Sequence, residues 1–112
     1  MLRIYHNNRC SKSRAAKEAL TLCNMPFETV EYLNTPLTAE QIKTLFGKMN
    51  GVKVRDLCRE KLSETATDEE IFQFLAENPK ALQRPIVEYG DKAIIGRPTE
   101  LVEDFLKQIS NE

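Results

Sequence analysis

Within its first 33 residues the chain changes hydrophobic period twice. "LRIYH" is short, β-branched and aromatic, which suits a buried strand. From Ser11 the spacing turns helical, with Ala15, Ala19 and Leu22 recurring on one face and Lys12, Arg14, Lys17 and Glu18 on the other. Pro26 cannot continue a helix, so this one should end near Asn24. "FETVEYL" then alternates as a second strand before Pro36. Parallel strands need a crossover between them, and that crossover takes one hand, so strand, helix and strand form a right-handed parallel unit. This unit commits the chain to an α/β architecture.

The remaining sequence extends the pattern. Thr38 with Gln41, and Thr67 with Glu70, are spaced as capping boxes opening helices over "IKTLFGKM" and "IFQFLAENP", where Ile71, Phe74 and Leu75 share a face. Gly51 separates the first of these from a short helix over "VKVRDLCRE". Two apolar runs flank Gly90-Asp91, a hairpin signal. Pro98 suits the first turn of a last helix carrying Leu101, Val102, Phe105, Leu106 and Ile109 on one side. The order β-α-β, helices, β-β-α is that of a thioredoxin-like fold with a mixed four-stranded sheet flanked by helices and a helical insertion at about 37–79, although periodicity by itself fixes only an α/β sandwich. At 112 residues the chain makes one domain, 1–112.

Composition narrows the setting. Apolar residues at 41% and charged residues at 29% fit a globular protein, and no apolar run approaches the length a bilayer needs. "MLRIYHNN" lacks the plan of a secretory signal, which points to the cytoplasm. A net charge of -1 gives no reason to expect nucleic acid or a membrane surface as partner. The three cysteines, Cys10, Cys23 and Cys58, are an odd number for a disulfide framework in a reducing compartment. Cys23 and Cys58 fall inside helical patterns and are expected to pack, and their spacing with His6 does not match a metal site.

Cys10 is different because it stands between the first strand and the first helix, in "YHNNRCSKSR". The first-turn N–H groups of a helix lack internal partners and carry partial positive charge, so a thiolate there is stabilised, with Arg9 and Arg14 close in sequence. The same N–H groups suit an oxyanion, so one loop can hold a nucleophilic sulfur and an anionic substrate. His6, at the strand's end, is placed to reach the thiol, and Ser13, one helical turn on, to donate a hydroxyl to it.

"YHNNRCSKSR", "LCRE" and "QRPIVEYGDKAIIGRPTE", in that order, resemble the glutaredoxin-coupled arsenate reductases over nearly the whole chain. The resemblance implies a thioredoxin-like fold, Cys10 as nucleophile, His6 and Ser13 as tuners of its pKa, and Arg59, Arg84 and Arg97 as an oxyanion-binding trio. It also implies a cis Arg84-Pro85 bond, reduction of arsenate to arsenite with glutathione as co-substrate and glutaredoxin as partner, and no bound cofactor. Guanidinium groups match tetrahedral oxyanions in charge and geometry, so the trio is chemically apt. The loop reads C-x-x-S, with Ser13 where a dithiol protein carries its resolving cysteine. Two other functions are compatible with the sequence: a glutathione-dependent monothiol oxidoreductase that ignores arsenate, and an Spx-like redox-sensing adaptor of RNA polymerase, which would need a second loop cysteine at position 13.

Overall fold

The computed structural model describes residues 1–110. Strand β1 (Leu2–Tyr5) leads into helix α1 (Ser11–Leu22) and strand β2 (Phe27–Val30), and helices α2 (Ala39–Phe46) and α3 (Asp68–Glu77) follow before the hairpin β3 (Ile86–Tyr89) and β4 (Lys92–Ile95) and the final helix α4 (Thr99–Ser110). The sheet order is β2-β1-β3-β4, with β1 parallel to β2 and antiparallel to β3, and β3 antiparallel to β4. This is the mixed four-stranded, thioredoxin-like arrangement.

Strand alternation divides the interior in two. Leu2, Ile4 and Val87 point to one face, where they meet Ala16 and Leu20 of α1 and Val102, Phe105, Leu106 and Ile109 of α4. Tyr5 and Ile86 point to the other, where Ile42 and Leu45 of α2 and Ile71, Phe72 and Leu75 of α3 cover them. Both capping boxes are present: Thr38 Oγ1 accepts from Gln41 N–H, Thr67 Oγ1 accepts from Glu70 N–H, and each partner's side chain returns to the cap residue's N–H. The hairpin turns at Gly90, whose φ of 61° is the left-handed conformation such a turn needs. Glu88, buried within β3, accepts from Tyr5 Oη at 2.7 Å and Arg3 Nη1 at 3.1 Å and pairs with Lys48, tying the sheet to the segment after α2.

Several local expectations need correction. The buried face of α1 is Ser13, Ala16 and Leu20, whereas Leu22 is 74% exposed; a serine sits in the core because its hydroxyl is satisfied there. On α3 the buried aromatic is Phe72, and Phe74 is partly exposed. β2 stops at Val30 because the Glu31 carbonyl accepts from the N–H groups of Asn34 and Thr35, turning the chain. The short helix over "VKVRDLCRE" is a single 3-10 turn, Val54–Leu57, after which the chain extends: Gln83 N–H donates to the Leu57 carbonyl and Arg59 N–H to the Ala81 carbonyl. Pro98 precedes α4 and follows a cis bond, as Pro85 does.

Candidate active site

The loop from His6 to Cys10 is built by hydrogen bonds to its own chain. Asn7, buried, accepts the Arg9 N–H on its side-chain oxygen at 2.9 Å, and its carbonyl accepts the Cys10 N–H at 3.0 Å. These bonds curl the chain so that Cys10 becomes the N-cap of α1, in extended conformation, with its carbonyl accepting the Arg14 N–H. Arg14's guanidinium donates back to the Asn8 carbonyl at 3.1 Å and so braces the loop from outside.

Cys10 is a free, partly exposed thiol. Its sulfur closes no capping hydrogen bond, yet it stands before the open end of α1. Partial burial pushes the thiol's pKa up, but the N–H groups of Ser13 and Lys12 and the guanidinium of Arg84 outweigh it, and the net effect is a pKa below the ordinary value. The thiolate is thus stabilised in a group that is reachable from solvent.

His6 and Ser13 act one step back from the sulfur. The His6 ring nitrogen Nδ1 lies 2.7 Å from Ser13 Oγ, and the Asn7 N–H donates to the same oxygen at 3.0 Å. His6 Nε2 is buried without a partner, so neither ring nitrogen bonds the sulfur. Ser13 faces the sulfur with its backbone N–H, while its hydroxyl faces the interior. Burial, foremost, lowers the His6 pKa and keeps the ring neutral near pH 7.

The three arginines are placed unequally. Arg84 directly precedes the cis bond to Pro85, acts on the Cys10 sulfur, and donates from Nη1 to the Lys80 carbonyl at 3.0 Å, while its Nε is buried and unpartnered. Arg59 is exposed on the extended stretch that pairs with the residues just before Arg84, and its charge reaches the buried hydroxyl of Tyr32. Arg97 is half-buried and held to the backbone: its Nη1 donates to the Arg84 carbonyl at 3.2 Å and lies 3.4 Å from Gln83 Oε1. It lines a surface cavity of about 680 Å³ together with Cys58, Asp104 and Phe105. Arg84 and Arg59 therefore bear on the thiol loop and its surroundings, and Arg97 supports Arg84 from behind.

Pro85 is itself wedged. A Cβ on Gly96 would fall 2.6 Å from Val102 Cγ2 and 3.0 Å from Pro85 Cγ, so only glycine lets β4's end close over the proline that follows Arg84. Neither Tyr32 nor Asn7 stands out in the sequence: Asn7 is one of several polar residues in the loop between His6 and Cys10, and Tyr32, one aromatic past a strand, reads as ordinary core.

Cys23 donates to the Leu20 carbonyl and packs against the α1–α4 core, and Cys58 is buried in the other core. No group of three or more histidine, cysteine, aspartate or glutamate side chains among the described residues is arranged to hold a metal ion. No helix among them is long and apolar enough to cross a membrane.

The sequence matches the model of the ArsC family over residues 5–105. An arsenate reductase of Neisseria meningitidis is 36% identical over 114 residues, covering 94% of this chain and 97% of that protein. One from Yersinia enterocolitica is 32% identical, covering 94% and 80%. The solved structure of an arsenate reductase from Vibrio cholerae superposes with a TM-score of 0.86 at 32% identity, covering 92% of this chain and 95% of that one.

Proposed function

The chain belongs to the ArsC family, and from this we propose that it reduces arsenate to arsenite, with Cys10 as the nucleophile and glutathione and glutaredoxin as the source of electrons. The observation that carries the reading is the Cys10 sulfur itself, part-exposed at the open end of α1 and held toward thiolate by two backbone N–H groups and Arg84.

The chemistry balances without a second cysteine in the loop. The Cys10 thiolate bonds to arsenic, and one arsenate oxygen, taking up protons, leaves as water. Glutathione sulfur then bonds to the same arsenic, and a second oxygen leaves as water. A glutaredoxin thiolate attacks the glutathione sulfur, forming a mixed disulfide; the electron pair of the sulfur–arsenic bond stays on arsenic, which becomes As(III). Hydrolysis of the remaining bond to Cys10 releases arsenite and restores the thiol. In this scheme Arg84 neutralises oxyanion charge beside the attacking sulfur, Arg59 adds positive potential from the exposed side, and Arg97 keeps Arg84's backbone in place. His6 and Ser13 fix the loop so that the Ser13 N–H faces the sulfur. Ser13 occupies the position of a resolving cysteine, which leaves external thiols to supply the two electrons.

Turnover measured with arsenate, glutathione and glutaredoxin tests the proposal. Cys10→Ser is expected to abolish it, and Arg84→Ala to lower kcat/KM about a hundredfold, the usual weight of one charge-stabilising donor. No arsenate-dependent turnover with wild-type protein would sink the reading. Turnover on a glutathionylated disulfide in its place would make the chain a monothiol oxidoreductase.

A further inference from the structure

Among the described residues, three buried side-chain polar atoms have no hydrogen-bond partner: His6 Nε2, Arg84 Nε and the Tyr32 hydroxyl. The first two belong to residues already placed around Cys10. Tyr32 is 1% exposed and lies two residues past the end of β2, where the Val30 carbonyl accepts the His6 N–H and so holds this stretch beside the thiol loop.

A phenol hydroxyl removed from water without an acceptor is a cost to folding, and buried tyrosines ordinarily avoid it. Tyr5 of this chain avoids it by donating to Glu88. The groups that act on Tyr32 are Arg84, the Asn7 side chain, the Cys10 sulfur and Arg59. Two are cations, one is the nucleophile, and none is a carboxylate. A donor left open in such company fits an acceptor that arrives from outside.

We propose that the Tyr32 hydroxyl donates a hydrogen bond to an oxygen of the tetrahedral oxyanion bound at Cys10, making Tyr32 a further substrate-contacting residue. This rests on reading the site as an oxyanion site and adds to it a neutral, directional donor. The arginines attract any anion, whereas a single O–H from a rigid, fully packed ring favours an oxygen at one position. Burial, foremost, pushes the phenol's pKa up, so the group remains a donor at neutral pH. The unpartnered hydroxyl is also a local destabilisation that substrate removes, which couples anion binding to the stability of the β2–α2 segment.

Tyr32→Phe isolates the hydroxyl, because the ring and its packing stay. Arsenate affinity without glutathione is measured by calorimetry on wild type and variant, together with the melting temperature of each in the absence of anion. The expected result is a Kd raised about tenfold or more, the weight of one hydrogen bond to a charged acceptor, with a melting temperature equal to or above wild type. Unchanged affinity in the variant, against clear binding by wild type, overturns this inference alone. A lowered melting temperature overturns it too, since the hydroxyl then has a structural partner. Wild-type protein that binds no arsenate overturns both the inference and the reading beneath it.

Discussion

Replacing Ser13 with alanine probes how the thiol loop is held, and its effect can be worked out from two distances. Ser13 is fully buried, and its Oγ stands 2.7 Å from His6 Nδ1 and 3.0 Å from the Asn7 N. Alanine fits the space and favours the helix by at most about 0.5 kcal/mol. It leaves the Asn7 N–H without an acceptor and the His6 ring, whose Nε2 already lacks a partner, with no hydrogen bond at all. Each buried polar group left unsatisfied costs about 1–3 kcal/mol, so the net loss is about 2–5 kcal/mol. At roughly 4 °C per kcal/mol for a chain of this length, the melting temperature should fall by about 8–20 °C. The Ser13 N–H that faces the sulfur is backbone and survives the substitution, so the Cys10 pKa, followed by ultraviolet thiolate absorbance, should move far less than stability does. Ser11→Ala, at the exposed first residue of the same helix, serves as the control and should change stability by no more than about 0.5 kcal/mol. Calorimetric melting of the three proteins decides the matter: a Ser13→Ala variant within about 2 °C of wild type would refute the claim that this hydroxyl anchors the loop.

Glu88→Gln removes the charge at the centre of the Tyr5, Arg3 and Lys48 cluster and faces Lys48 with an amide; denaturant unfolding should show a loss of about 3 kcal/mol. Burial pushes the Glu88 carboxyl up, but Lys48, Tyr5 and Arg3 hold it below its ordinary 4.5, so this stability is present above pH 4.5 and drains as pH falls through the lower folded value. His6 adds an earlier step on the same acid side. Its folded pKa is below 6.5, chiefly through burial, so from pH 6.5 downward the unfolded chain takes up a proton that the folded chain refuses, and stability declines. Unfolding free energy measured against pH should therefore show two separate acid losses, with Glu88→Gln reducing only the lower one, to which Glu70, held below 4.5 by the Thr67 cap, also contributes; a single loss below 4.5 in wild type would contradict the placement of His6.

What the sequence discloses about this protein is what is local. The capping boxes at Thr38 and Thr67 and the Gly90 turn depend on residues within three positions of one another, and each is readable and present. The α/β order is readable because the hydrophobic period changes abruptly at Ser11. The face of α1 is not, because Ser13 counts as polar in any pattern, while its burial depends on His6 and the Asn7 N–H meeting it in three dimensions. Leu22, apolar and helically spaced, is exposed for the complementary reason: the buried stripe of α1 runs through Ser13, Ala16 and Leu20 and leaves Leu22 to one side. Cys10's position at the helix mouth follows from chain order, and so does the expectation of a lowered thiol pKa. The distinct positions of Arg59, Arg84 and Arg97 do not, since Arg59 and Arg84 are brought together by pairing of the stretches around Leu57 and Gln83, which no periodicity marks. Tyr32 escapes notice because an aromatic near a strand is normally core; only its unpartnered hydroxyl, visible once neighbours are placed, separates it from Tyr5.

In the proposed chemistry the Cys10 sulfur, its thiolate stabilised in the resting protein, shares its positive surroundings with the substrate anion. Titrating the Cys10 thiol with and without arsenate, in a Cys23→Ala/Cys58→Ala background that leaves one thiol to observe, tests this directly. The predicted result is a pKa below the ordinary 9.0 that climbs when the anion is bound, because two negative charges then compete for Arg84 and the same N–H groups. A thiol that titrates at or above 9.0, or one whose titration ignores the anion, would contradict it.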